Sequence, residues 1–152
     1  MNNHYHLAQA NIAYAALPLS SPEVAPFHEL GERVDALVRK TPGFVWRLEV
    51  FNDRPIDPYA LNVSVWESRE ALSNFVYGGL HGDALRRRKE WFKPYRGVQS
   101  VLWWLPAGQL PSADEGMARL EILQARGPTL EAFTLRRFFP PPTINAGERT
   151  CQ

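Results

Sequence analysis

Residues 44–66 read FVWRLEVFNDRPIDPYALNVSVW, and this stretch decides the fold. Residues 44–51 and residues 60–66 each alternate between two faces with a period of two, which is the pattern of a half-buried β-strand. Residues 52–59 carry prolines, aspartates and an asparagine, a composition that is typical of a loop. The stretch therefore predicts two consecutive strands of one sheet.

The flanking segments complete a series of strands and helices. Residues 5–16 alternate as a strand, and Ser21-Pro22 opens a helix that should end before Thr41-Pro42-Gly43. Ser68 caps a second helix, and residues 98–106 form a fourth strand. The order β-α-β-β-α-β predicts a ferredoxin-like α+β domain, with helices on one face of a four-stranded antiparallel sheet.

The C-terminal part adds a helix and a tail. Ser112 and Glu115 form a capping box for a helix that runs to Gly127-Pro128. Residues 132–138 are suited to a fifth, shorter strand. We expect one domain over residues 1–140, followed by a Pro-rich extended or disordered tail over residues 141–152.

Composition excludes several classes of function. The net charge of +1 gives no general attraction to nucleic acid or to an anionic membrane, and residues 86–89 (RRRK) are followed by an acidic residue, as on a solvated helix face. No apolar run is long enough to span a bilayer. The single cysteine, Cys151, forms no intramolecular disulfide, which favours a cytoplasmic protein.

Aromatic residues on the strands indicate a partner surface. We expect the sheet face that the helices leave open to carry Trp66 together with either Trp103 or Trp104. An exposed aromatic face of this kind usually binds a partner, and the simplest partner is a second copy of the chain related by a two-fold axis. The sequence therefore predicts a homodimer.

The second helix is interrupted by the segment YGGLHGD, residues 77–83. The imidazole of His81 is able to ligate iron or to exchange protons near neutral pH, and Tyr77 and Arg88 share its face if the helix continues. The glycines then admit a flat ligand against the backbone. Alternatively, they end one helix and start another, and His81 caps the joint.

Polar side chains on three strands predict either a pocket or a wet dimer interface. Asn11, with Gln9 beside it, is a candidate for a buried amide on the first strand. Ser64 accompanies Trp66 on the third strand, and Arg47 and Glu49 lie on the second. In the pocket interpretation, Ser64, Tyr77, Arg88 and Trp103 bind the substrate.

The order of elements, the segment VSVWES (residues 63–68) and a histidine in the second helix resemble the dimeric α/β-barrel superfamily of antibiotic-biosynthesis and haem-degrading monooxygenases. The pattern YGGLHGDALRRRKEWF, followed by VLWWLPAGQLPSADEGMARLEILQARGPTLEAFTLRRFFPPP, is similar to one branch, a domain of unknown function. The resemblance implies a catalytic site of Asn11, Trp66 and His81. By this likeness, His81 ligates haem iron in a haem-dependent enzyme, whereas a cofactor-free monooxygenase uses only the asparagine and the tryptophan.

The sequence predicts a small-molecule enzyme, a monooxygenase-like oxidoreductase acting on a hydrophobic or aromatic substrate in a pocket between sheet and helices. Its cofactor is either none or haem. The alternative is a non-catalytic ligand-binding or dimerisation domain, in which the same residues only pack and form hydrogen bonds.

Overall fold

The computed structural model describes residues 4–77 and 86–142. Four strands and three α-helices alternate along this part of the chain, and short 3-10 helices lie at Pro22–Val24 and Arg88–Glu90. The elements are β1 (Tyr5–Tyr14), α1 (Ala25–Val38), β2 (Phe44–Asn52), β3 (Tyr59–Trp66), α2 (Arg69–Val76), β4 (Ser100–Pro106) and α3 (Ala113–Arg126).

The strands form one antiparallel sheet in the order β2-β3-β1-β4. Sequence neighbours β2 and β3 pair directly, and β1 lies between β3 and β4. This arrangement confirms the ferredoxin-like α+β fold that the sequence predicts. None of the helices in the described residues is long and apolar enough to cross a membrane.

Helices α1 and α2 cover one face of the sheet. Val38 of α1 and Leu72 of α2 join a buried cluster with Leu7, Trp66 and Leu102. Trp66 is only 1% exposed on this face, so the expectation that it lies on an open face is wrong. The ring of Trp66 is instead enclosed by the helices that follow β1 and β3.

Helix α3 packs on the opposite face, mainly over β1 and β4. Its Leu120 and Leu123 are buried against the apolar residues of that face. Gly116 brings the helix close to the sheet, since a Cβ there would lie 3.1 Å from Val63 Cγ2 and 3.2 Å from Ala10 Cβ. The apolar face of β2 lies beyond this helix and stays partly exposed.

Capping residues set the ends of two helices as expected. The Oγ of Ser68 accepts a hydrogen bond from the N–H of Ala71, and that of Ser112 accepts one from Glu115. Ser21 does not cap α1, because its hydroxyl donates to the carbonyl of Pro18 and a 3-10 turn precedes the helix.

The expected fifth strand is reduced to a single bridge. Phe133 exchanges two backbone hydrogen bonds with Leu102 at the edge of β4, and residues 134–138 form no strand. The chain then continues beside β4, where the indole of Trp104 donates to the carbonyl of Phe139. Ring contacts of Phe138 with Trp104 and Phe133 hold this segment against the sheet.

Candidate functional site

A polar floor lies beneath α1 and α2, in the middle of the sheet. Strand register places Gln9 opposite Ser64 and Asn11 opposite Asn62. On β2, Arg47 pairs with Ser64. Alternation along three neighbouring strands therefore gathers the polar residues of β1, β2 and β3 on one face.

Ser64 is the centre of the hydrogen bonds on this floor. Its Oγ accepts from Trp66 Nε1 over 2.9 Å and from Gln9 Nε2 over 3.0 Å. Gln9 Nε2 also donates to Asn11 Oδ1 over 3.2 Å. Two accepted bonds occupy both lone pairs of the Ser64 hydroxyl, so its proton is available to donate to another group.

Asn62 supplies a second unused polar atom. Its Oδ1 is buried and has no hydrogen-bond partner among the described residues. A buried acceptor without a donor costs about 1–3 kcal/mol. The position is therefore suited to a ligand or a water molecule that carries a donor hydrogen.

Two adjoining cavities lie between this floor and the helices. The α1 cavity, of about 140 Å³, has apolar walls formed by Phe27, Leu30, Val34, Trp91 and Phe92. The α2 cavity, of about 180 Å³, is walled by Val38, Trp66, Leu72, Phe75 and Val76. Each is comparable to the ~150 Å³ engineered cavity that binds benzene. Both are lined by Asn11, Arg47, Asn62 and Arg88.

Arg47 is a buried cation whose charge is neutralised. Its side chain is 8% exposed, and its guanidinium lies 2.6 Å from Asp35 Oδ1 and 3.4 Å from Glu49 Oε2. Asp35 also accepts a hydrogen bond from Arg39. Bonds from Arg39 and Arg47 lower the pKa of Asp35 against the opposing effect of burial, so this carboxylate stays ionised.

Four predicted site residues come together around the cavities. Asn11 and Arg88 line both of them, while Ser64 and Trp66 line the α2 cavity. Asn11 is exposed, so the expectation of a buried amide at this position is wrong. The buried amide oxygen belongs instead to the partly buried Asn62, the direct neighbour of Asn11 on β3.

Trp103 does not belong to this group. It is completely buried on the opposite face of the sheet, beneath α3, where the guanidinium of Arg119 lies 5.5 Å from its ring centroid. The strand alternation of β4 points Leu102 and Trp104, and not Trp103, toward the side of α1 and α2. The prediction that Trp103 binds substrate in this pocket is therefore contradicted.

The end of α2 also differs from the expectation. The helix stops at Val76, and Tyr77 is 78% exposed and lines neither cavity. His81 lies outside the described residues, and so do the glycines around it. Trp91 and Phe92 follow the 3-10 turn and are buried against α1.

The described residues around the cavities do not fit a haem group. None of those that line the α1 or α2 cavity is a histidine, cysteine, methionine or tyrosine, the side chains that ligate haem iron. No metal-binding cluster of His, Cys, Asp or Glu occurs within residues 4–77 and 86–142. With volumes of about 140 and 180 Å³, the cavities are close to the ~150 Å³ cavity that binds benzene, whereas a porphyrin carries four pyrrole rings.

A family model described as "Domain of unknown function (DUF3291)" matches residues 6–149. The chain belongs to the DUF3291 family. This agrees with the branch that the sequence resembles. A comparison with curated proteins gave no match.

Solved structures share the fold of this DUF3291 chain. A putative antibiotic biosynthesis monooxygenase from Caulobacter crescentus is 13% identical, with a TM-score of 0.50, over 70% of this chain and 93% of that one. A conserved protein from Methanosarcina mazei is 10% identical, with a TM-score of 0.51, over 68% of this chain and 93% of that one. SnoaB, a cofactor-independent oxygenase from Streptomyces nogalater, is 18% identical, with a TM-score of 0.47, over 72% and 99%. The likeness to the Caulobacter crescentus and Methanosarcina mazei proteins shows, at these identities, a common fold.

Sequence reasoning missed the wall of the α1 cavity in this DUF3291 protein. The ring of Phe27, on α1, contacts both Trp91 and Phe92. Phe27 lies more than 60 positions before Trp91 and Phe92 along the chain, so no local pattern joins the three rings. The aromatic composition was the only signal in the sequence for such a wall.

Proposed function

We propose that this protein is a monooxygenase-like oxidoreductase that acts on a small hydrophobic or aromatic molecule held in the α1 and α2 cavities. One observation carries the proposal: apolar and aromatic walls stand over a floor of amide and hydroxyl groups whose hydrogen-bonding capacity is unused. Sites for small apolar molecules combine such walls with a few polar groups that fix orientation. The superfamily resemblance supplies the reaction type.

The floor has a donor and an acceptor for orienting the substrate. Asn62 Oδ1 accepts from a substrate hydroxyl, since this buried oxygen has no described donor. The Asn11 carbonyl oxygen is occupied by Gln9, which leaves its amide nitrogen free to donate to a substrate carbonyl or to bound oxygen. The ring of Trp66, stacked 5.4 Å from that of Phe75, packs against the substrate.

The electrons for the reaction come from the substrate in this proposal. A monooxygenase places one oxygen atom of O₂ in the product and reduces the other to water, which needs two electrons beyond those of the new C–O bond. In the cofactor-free reaction, an electron-rich phenol supplies them and is itself oxidised to a quinone, so that 1-naphthol and O₂ give 1,4-naphthoquinone and water. The apolar walls exclude water from its reacting carbon.

Oxygen consumption tests this proposal directly. The purified protein is incubated with naphthols and dihydroxynaphthalenes in an oxygen electrode, and ¹⁸O₂ incorporation into product is measured by mass spectrometry. The proposal is supported if wild type turns over such a compound and turnover falls about 10²-fold in Asn62→Ala. Turnover should stay unchanged in Lys89→Gln, because Lys89 is an exposed neighbour of the site. Binding of these compounds with no oxygen uptake contradicts it.

A non-catalytic binding domain is the second candidate, and one observation favours it. Among the described residues that line the α1 cavity, Glu49 is the one carboxylate, and it is already paired with Arg47. This candidate predicts saturable binding of an aromatic ligand that is recovered chemically unchanged.

We also propose a homodimer through the apolar face of β2. Val45, Trp46, Leu48 and Val50 are partly buried against the core on the side of α3, and α3 itself packs mainly over β1 and β4. A second copy would cover these residues. Sedimentation equilibrium is expected to give a dimer for wild type and for Ile56→Glu, whose side chain is exposed on the β2–β3 loop, and a monomer for Trp46→Glu. A monomeric wild type contradicts the proposal.

A further inference from the structure

Arg88 lies where the two cavities meet. It opens the 3-10 turn after the second helical region and lines both the α1 and the α2 cavity. Its carbonyl accepts hydrogen bonds from the N–H groups of Trp91 and Phe92, both buried aromatic residues. The backbone of Arg88 is thereby fixed to the cavity wall, and its side chain is partly buried there.

The charge of Arg88 is not balanced by the described residues. Two other arginines near the cavities are neutralised, Arg47 by Asp35 and Glu49, and Arg87 by Glu90. Arg88 forms no ion pair or side-chain hydrogen bond within residues 4–77 and 86–142. Partial burial of a guanidinium removes part of its hydration, and without a paired anion no electrostatic attraction offsets this free-energy cost.

Among its described lining residues, the α2 cavity carries one positive charge without a counter-ion, that of Arg88. Two arginines, Arg47 and Arg88, line it, and none of its described lining residues is acidic. The proton of the Ser64 hydroxyl and the amide nitrogen of Asn11 add two neutral donors to the same space. An oxyanion of the ligand would satisfy the guanidinium and these donors together.

We propose that the ligand of this site is an aromatic carboxylic acid, whose carboxylate pairs with Arg88 while its ring lies in the α2 cavity against Trp66 and Phe75. The planar guanidinium fork matches a carboxylate with two parallel hydrogen bonds. The inference deepens the proposed function by naming its substrate class. It needs only binding, and not turnover, to be correct.

A matched pair of probes tests it. 1-Naphthoate and 1-naphthamide have the same ring system and differ in charge, and their binding to the full-length protein is measured by isothermal titration calorimetry. We expect wild type to bind the naphthoate about tenfold more tightly than the amide. Arg88→Gln should remove this preference and leave amide binding within about twofold.

Controls distinguish specific pairing of the carboxylate with Arg88 from nonspecific attraction by positive charge. Lys89→Gln removes one positive charge at an exposed neighbouring position and should retain the preference for the naphthoate. Raising the NaCl concentration should weaken naphthoate binding in wild type and leave amide binding unchanged. Circular dichroism spectra of the variants check their folding.

The outcomes distinguish this inference from the proposed function. A preference for the naphthoate that survives in Arg88→Gln overturns the inference, and so does a wild type that shows no preference or binds neither probe. Oxygen consumption with neutral phenols alone would preserve the oxidoreductase and reject the carboxylate. Naphthoate recognition through Arg88 without any oxygen consumption would support the carboxylate ligand and reject the oxidoreductase.

Discussion

The indole N–H of Trp66 donates a hydrogen bond to the hydroxyl of Ser64 over 2.9 Å, with both side chains buried on the same face of β3. An indole ring gains free energy from burial, but its N–H must find an acceptor when water is excluded. Ser64 provides that acceptor from two positions earlier on the strand. The bond fixes the ring that forms one wall of the α2 cavity.

Ser64→Ala is therefore expected to destabilise the fold. The substitution leaves the indole N–H of Trp66 buried without a partner, which should lower the free energy of unfolding by about 1–3 kcal/mol. Urea denaturation followed by circular dichroism measures the change.

A double-mutant cycle with Trp66→Phe assigns the cost to this bond. Phenylalanine retains the apolar ring and removes the N–H, so Ser64→Ala should cost about 0.5–1.5 kcal/mol less in that background. Equal costs in the two backgrounds would show that the bond between Ser64 and Trp66 contributes nothing to stability.

Asp35 should make stability depend on pH. Hydrogen bonds from Arg39 and Arg47 lower its pKa in the folded state below the unfolded value. The stability that Asp35 contributes to the folded state is therefore complete above about pH 5 and is lost as the pH falls below about 4. In Asp35→Asn this part of the acid-induced loss should disappear, and stability at neutral pH should fall by about 1–3 kcal/mol because Arg47 loses its 2.6 Å partner.

Urea midpoints of wild type and Asp35→Asn between neutral and acidic pH measure this effect. Glu29→Gln is the matched control, since Glu29 lies on the same helix, is exposed and forms no ion pair within the described residues. Parallel pH profiles for wild type and Asp35→Asn would exclude Asp35 as a source of acid sensitivity.

The sequence was sufficient for the order of elements and insufficient for the assignment of faces. Alternation shows that Asn62, Ser64 and Trp66 share one side of β3, because successive side chains of a strand point in opposite directions. It carries no information on which side the helices will cover. That choice depends on the packing of α1 and α2 against one face and of α3 against the other, and for this reason Trp66 and Trp103 were misplaced.

The same limit applies to the site. Asn11 and Asn62 are direct neighbours across β1 and β3 and look alike in the sequence, yet Asn11 is exposed and the oxygen of Asn62 is buried. Their difference is set by the helices above them, which are distant in sequence. Arg88 was a candidate because it shares the face of His81 if the second helix continues. Its place beside two cavities and the lack of an anionic partner among the described residues distinguish it from Arg87.

Gly31 allows the α1 cavity to be filled without damage to the core. It lies in the middle of α1, lines the cavity, and has no atom within 4 Å of a Cβ built at its position. Gly31→Ala should stabilise the helix by about 1 kcal/mol through its higher helix propensity. Gly31→Leu should keep the fold and occupy part of the cavity.

The neutral fluorescent probe N-phenyl-1-naphthylamine measures this effect, because its two ring systems together exceed one benzene-sized cavity. We expect its affinity to fall about tenfold in Gly31→Leu and to stay within about twofold in Gly31→Ala. Unchanged binding in a folded Gly31→Leu protein would show that the α1 cavity is not part of the ligand site.

Haemin titration decides between the two cofactor predictions. The described cavity residues supply no iron ligand, and each cavity is ring-sized, so we expect the visible spectrum of added haemin to be the same for wild type and for His81→Ala. The variant is informative because His81 is the residue that the superfamily resemblance assigns to iron. A stoichiometric, shifted haem band in wild type that weakens or moves in His81→Ala would contradict the cofactor-free proposal and would make His81 the axial ligand.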